Sequence, residues 1–100
     1  MRIGYTDSND CDFTIVISDD SQKDKAIECI EKGISAWYAA AHPKTYDEDD
    51  FTIEEIEGFY WDGYAKPAEI LLKREGIEFE LIEDEYDDDG NLVADEIVNG

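Results

Sequence analysis

Glu85, Asp87, Asp89 and Glu96 occupy the first, third, fifth and twelfth places of a run that has Gly90 sixth and Leu92 eighth. Carboxylates at alternate positions, a glycine that permits a sharp turn and a later glutamate able to offer two oxygens suit a hard divalent cation, because Ca²⁺ prefers a cage of oxygens. The run lies inside a denser acidic stretch: Glu83, Asp84, Glu85, Asp87, Asp88 and Asp89, with no Lys or Arg between it and Gly100. Three readings compete for it: a Ca²⁺ loop, a surface that stands in for nucleic acid, and an ordinary solvated turn.

Residues 85–96 resemble the calcium loop of the EF-hand family. That resemblance implies Ca²⁺ as a cofactor, with Glu85, Asp87, Asp89 and Glu96 as its ligands. Glu85 departs from the family's Asp at the first place. The incoming segment Ile77–Ile82 alternates as a strand does, and little chain remains for an outgoing helix. The same residues also read as a hairpin turn of the Asp-Asp-Gly-Asn type.

A second acidic run, Asp47, Glu48, Asp49 and Asp50, precedes a segment carrying Glu54, Glu55, Glu57 and Asp62. Glu54, Glu55 and Asp62 can share one helix flank, with Glu57 further round. Phe59, Tyr60, Trp61 and Tyr64 crowd four aromatics into six positions, too many for one core-facing stripe. Trp61 and Tyr64 are expected to be the exposed pair, available to anchor a partner. Catalytic chemistry has little material. His42 is the single histidine and abuts Pro43, and no phosphate-binding loop, nucleophile elbow, C-x-x-C pair or zinc set occurs. A non-enzymatic role is expected.

The bulk charge sharpens the choice. Twenty-eight Asp and Glu against eight Lys and Arg leave a formal charge of −20. Two carboxylates ~6 Å apart in water repel by only ~0.7 kcal/mol, but an excess of this size contains many such pairs, and it exceeds the net charge of about 2–8 that solubility asks of a small domain. Direct binding to nucleic acid or an anionic membrane is disfavoured, since no basic patch exists to release counterions. Ile-rich composition, with more Lys than Arg, does not fit a salt-adapted chain. Two cysteines, Cys11 and Cys29, are too few for a disulfide framework, and the N-terminus has no apolar leader, so a cytoplasmic location is expected.

B-DNA carries one charge per ~1.7 Å of axis, so carboxylates gathered along one side of a small domain can occupy a groove built for phosphates. In size and charge the chain resembles the small acidic DNA-mimic proteins of phages and mobile elements: anti-restriction and anti-CRISPR inhibitors and some nuclease-immunity proteins. The resemblance implies a basic nucleic-acid-binding partner such as a nuclease effector, reached by Asp47–Asp50, Glu54, Glu55, Asp62 and Glu83–Asp89, with Trp61 and Tyr64 as anchors. It carries over no individual residue. A solubilised structural or adaptor domain is the remaining alternative.

The elements that must hold these residues follow from periodicity. Arg2–Thr6 and Cys11–Ser18 read as a hairpin around Asp7–Asp10, with Cys11, Phe13, Ile15 and Ile17 on one face. Ser21 and Asp24 suggest a capping box opening a helix to Ala41, striped by Ile27, Ile30, Ile34, Trp37, Tyr38 and Ala41. Thr52 with Glu55 suggests a second box and a helix ending near Asp62-Gly63. Pro67–Glu75 predicts a third helix closed by Gly76. Ile77–Leu81 alternates as a strand, and Leu92–Val98 is either a further strand or a short helix. The expectation is a single α+β domain over residues 1–100. Its small antiparallel sheet, an N-terminal hairpin plus a C-terminal strand or hairpin, is covered on one face by a long amphipathic helix and two shorter ones.

Overall fold

In the computed structural model, which describes residues 1–47, 49–83 and 85–100, strands β1 (Arg2–Thr6) and β2 (Phe13–Ile17) form the N-terminal hairpin. Ile3 stands opposite Ile15 and Tyr5 opposite Phe13. Strand β3 (Phe79–Ile82) pairs antiparallel with β2, and β4 (Glu96–Asn99) pairs with β1. The order is β3-β2-β1-β4. The last segment is therefore a strand, and it runs parallel to β1, so the sheet is mixed where alternation alone suggested antiparallel pairing throughout. Alternation sets which face a residue takes; the path of the connecting chain sets strand direction.

The register puts Ile3, Tyr5, Phe13, Ile15, Ile17, Phe79, Leu81 and Val98 on one face. Against it lie helices α1 (Lys23–Ala39), α2 (Ile53–Asp62) and α3 (Lys66–Arg74), which close one continuous core with the sheet. The α+β architecture with a long helix and two shorter ones over the sheet is thus what the sequence predicts.

Two local details differ. The Ser21–Asp24 box does not form. Asp19 instead caps a 3₁₀ turn, Asp20–Gln22, accepting from the Ser21 amide at 3.0 Å and the Ser21 hydroxyl at 2.6 Å. The buried stripe of α1 is also rotated from the predicted one. Ala26, Cys29, Ile30, Gly33, Ile34 and Ala36 face inward, while Tyr38 and Ala41 are exposed. The helix packs on α3 as well as on the sheet, and small residues allow the second contact.

Helix α1 ends at Ala39, two residues before the expected Ala41, and the punctuation of α2 and α3 matches. Thr52 and Glu55 form the reciprocal capping box, with bonds of 3.0 and 3.1 Å. Pro67 opens α3. Gly76, at φ 70°, ends it in the left-handed conformation, with the Ile77 amide returning to the Leu72 carbonyl at 3.0 Å and the Gly76 amide to Lys73 at 3.1 Å. Among the described residues no helix is long and apolar enough to cross a membrane.

Candidate partner-binding surface

β3 and β4 lie at opposite edges of the sheet, and the helices fill one face. Residues 85–95, on the way from β3 to β4, lie against the other, in contact with Arg2, Gly4 and Asp12. Gly4 leaves room for them: a Cβ there would come within 3.1 Å of the Ala94 Cβ and 3.2 Å of Leu92 Cδ1. Asp95 fastens the far end, its carboxylate accepting from the Arg2 amide at 2.8 Å and its own amide donating to the Arg2 carbonyl at 2.9 Å. The acidic stretch is thus a layer laid over the sheet.

Within that layer Tyr86 bridges Leu92 in antiparallel fashion, and Gly90, at φ 81°, completes the turn between them. The Asp87 amide donates to the Asn91 carbonyl at 2.8 Å, while the Asp87 carboxylate accepts from the amides of Asp89 at 2.9 Å and Asn91 at 3.0 Å. This is the side-chain-supported turn that aspartate favours. Asp87 is spent on the backbone, whereas Asp88 and Asp89 project into solvent at the tip.

The residues do not fit a Ca²⁺ cage. Glu85 Oε1 lies 2.6 Å from Arg2 Nη1 on the crossover side. Glu96, opposite Ile3 in the register, belongs to the helix-covered side, where its Oε1 lies 3.0 Å from Lys23 Nζ. The first and twelfth places of the loop are therefore on opposite faces of the sheet, each already engaged by a cation. Among the described residues no group of three or more His, Cys, Asp or Glu is placed to hold a metal.

Asp12 joins the crossover to the helical layer. Its carboxylate accepts from the Tyr86 hydroxyl at 3.1 Å, and its carbonyl accepts from the Tyr64 hydroxyl at 3.0 Å. The C-terminal end of α2, with Trp61 and Asp62 exposed, therefore lies at the same end of the sheet as the acidic hairpin. Tyr64 is not the exposed anchor that the sequence suggests. It is half-buried, with its ring 6.0 Å from those of Phe13 and Trp37. Gly63, at φ 100°, breaks the helix and turns Tyr64 inward. Tyr60 takes the exposed place beside Trp61; the two are 62% and 83% exposed, with ring centroids 5.0 Å apart.

The second acidic run lies elsewhere. Asp47 and Asp49 are exposed and Asp50 is half-buried; Glu48 in this run and Asp84 in the crossover lie outside the described residues. Arg74, at the end of α3, donates to the Asp50 carbonyl, stands 3.3 Å from Glu55 and covers the Phe51 ring at 5.1 Å. Tyr64 precedes the start of α3 and Arg74 stands at its end, so the two acidic regions are tied to opposite ends of that helix. Glu54 and Glu57 are exposed on α2 between them.

The cations are unevenly spread. Around α1, Lys23 pairs with Glu96, Lys25 with Glu28 and Glu75, and Lys32 with Glu28. The sequence after Arg74 contains no Lys or Arg, and among the described residues the basic side chain paired with the crossover is Arg2, on Glu85. A polar cluster the sequence did not announce sits under the β1–β2 turn. Asp7 accepts from the hydroxyls of Tyr38 at 2.6 Å and Tyr5 at 3.0 Å, and from the amides of Asn9 at 2.9 Å and Cys11 at 3.1 Å. Burial opposes the charged form of Asp7, but these bonds hold its carboxyl below the usual range. The bond to Asp7 pushes the Tyr38 hydroxyl up to about 12, and burial, reinforced by Asp7, raises Tyr5. Cys11 and Cys29 are buried free thiols, each pushed up by burial. Reactive thiols are by contrast lowered and accessible.

No protein-family model, curated protein or solved structure matches this chain.

Proposed function

We propose that this protein is an acidic nucleic-acid mimic that blocks the cationic DNA or RNA channel of a nuclease or of a CRISPR- or restriction-type defence enzyme. One observation carries the reading: a chain of formal charge −20 keeps its final quarter free of Lys and Arg and lays part of it over the sheet face that the helices leave open, against Arg2, Gly4 and Asp12. Solubility would be served equally well by an even coat of charge. A layer with Asp88 and Asp89 at an exposed tip, and Glu83 exposed behind it, instead offers carboxylates where a channel expects phosphates. The body, 40 Å in its longest extent, spans about twelve base pairs of B-DNA.

The mechanism is occupancy without chemistry. Carboxylates replace phosphates against Lys and Arg of the channel, association is fast, and added salt weakens it. The crossover and Asp62 make the first contact region; Asp47, Asp49, Glu54 and Glu57 make the second. If the protein is phage-encoded, it works in the host cytosol.

The test is competition. The immobilised protein is offered a panel of nucleases with Lys- and Arg-lined channels at low salt, and bound enzyme is eluted with a short DNA duplex. Elution by the duplex, and loss of retention in an Asp88→Lys, Asp89→Lys variant, is the expected result. A retained nuclease that the duplex does not displace, and that still cuts DNA while bound, would rule the mimic out.

A further inference from the structure

The outer face of α2 does not behave like a merely solubilising surface. Ile53, Tyr60 and Trp61 stand 40%, 62% and 83% exposed. Ile53, Glu57 and Trp61 follow one another at i, i+4 spacing, and Tyr60 is three residues on from Glu57, so all four share one side of the helix. The adjoining side buries Ile56 and Phe59 in the core. Single exposed hydrophobics are ordinary, but three large ones in a row around a carboxylate mark a contact surface.

The occupant follows from charge. α2 carries Glu54, Glu55, Glu57 and Asp62 and no Lys or Arg. A second copy of the chain would set −20 against −20 and carboxylate against carboxylate, and nucleic acid or an anionic membrane would meet the same repulsion. A cationic side chain gains both from the carboxylates and from the faces of the two rings. Arginine suits the site better than lysine, because a planar guanidinium stacks on an indole while donating to a carboxylate. The fold already contains one arrangement of this kind: the Arg74 guanidinium lies 5.1 Å over the Phe51 ring and 3.3 Å from Glu55. On the outer face, Trp61 and Glu57 repeat the ring and the carboxylate.

We propose that the outer face of α2 is a docking site for an arginine-bearing segment of a basic protein, with a guanidinium stacked on Trp61 and flanked by Glu57. This deepens the mimic reading, and rests on it, by naming the contact that distinguishes a protein channel from a generic polycation. The test is a nuclear magnetic resonance titration of the ¹⁵N-labelled full chain with an oligo-arginine peptide and an oligo-lysine peptide of equal length. The expected result is movement of the Trp61 indole N–H and the amides of residues 53–62, tighter binding of the arginine peptide, and a loss of about three- to fivefold in its affinity on Trp61→Ala. Trp61 is so exposed that its removal leaves the fold intact. Movement confined to residues 87–91, with Trp61→Ala binding both peptides as before, overturns the α2 site and leaves the mimic reading standing. Concentration-dependent movement of the α2 amides without any peptide also overturns it, by identifying the occupant as a second copy. A failed duplex competition with this titration intact separates the two in the other direction.

Discussion

Gly33 of α1 lies so close to α3 that a Cβ on it would fall 2.5 Å from the Ala68 amide nitrogen and 2.6 Å from the Ala68 Cα. The obstacle is backbone, so no rotamer change relieves it. Gly33→Ala is expected to force the helices apart and cost about 1–3 kcal/mol, measured by urea denaturation. Ala68→Gly should not rescue it, since removing the Ala68 Cβ leaves the nitrogen in place. A Gly33→Ala protein as stable as the parent would show that the two helices do not cross this closely.

The Asp7 cluster predicts acid sensitivity with a definite sign. Asp7 titrates lower in the fold than in the unfolded chain, where the value is about 3.9. Its stabilising contribution is therefore complete above the unfolded value and disappears as the pH falls through the folded one. Tyr38 is the mirror case. Its value, raised to about 12, makes its contribution complete below the unfolded value of about 10 and lost as the pH climbs through the raised one. In Tyr38→Phe, the Asp7 carboxyl carbon resonance should titrate at higher pH than in the parent. An unchanged midpoint would mean the 2.6 Å bond is not made in solution.

Asp87 and its neighbours at the hairpin tip should separate cleanly. Asp87→Ala removes the acceptor for two backbone amides, so the Tyr86–Leu92 bridge should fray and the amides of Asp89 and Asn91 should exchange faster with solvent. Asp88→Asn with Asp89→Asn removes charge only. That variant should keep protected amides while losing salt-sensitive retention of basic nucleases. Equal behaviour of the two variants in both measurements would contradict this division of roles.

Calcium is expected to give no binding heat at millimolar concentration and low salt, because Glu85 and Glu96 face opposite sides of the sheet. Saturable heat that is lost in Glu96→Gln would show that the EF-hand-like spacing of 85–96 reorganises around the metal.

Self-repulsion sets the response to salt. With a formal charge of −20, the melting temperature should rise as sodium chloride is raised from near zero to about 0.5 M, since screening shrinks the Debye length below the spacing of most carboxylates. Exposed pairs such as Lys25–Glu28 weaken over the same range, but each is worth only about 0–1 kcal/mol. A falling melting temperature would mean that ion pairs outweigh repulsion.

Local chemistry was legible wherever a few neighbouring residues decide the outcome. The Thr52–Glu55 box, Pro67 at the start of α3, Gly76 at its end and the alternation of Phe13, Ile15 and Ile17 each follow from bonds or faces reached within a turn. Legible too were the size of the acidic excess and the absence of bases after Arg74, which need no fold at all. The acidic turn was legible only as one of three readings, and as Asp88–Asn91, whereas the closing bond runs from the Gly90 amide to the Asp87 carbonyl.

Tertiary structure decided what joins what. That β4 runs parallel to β1 depends on where the crossover goes, and the crossover passes over the second face because the helices occupy the first and Gly4 leaves space there. That Tyr60 faces solvent while Tyr64 turns inward depends on Gly63 breaking the helix over Phe13 and Trp37. Asp7 and Tyr38 are 31 residues apart, and Arg2 and Glu85 are 83 apart. Spacing along a chain constrains only the groups a short segment can bring together; contacts across these distances exist because burying the core first fixes which surfaces lie side by side.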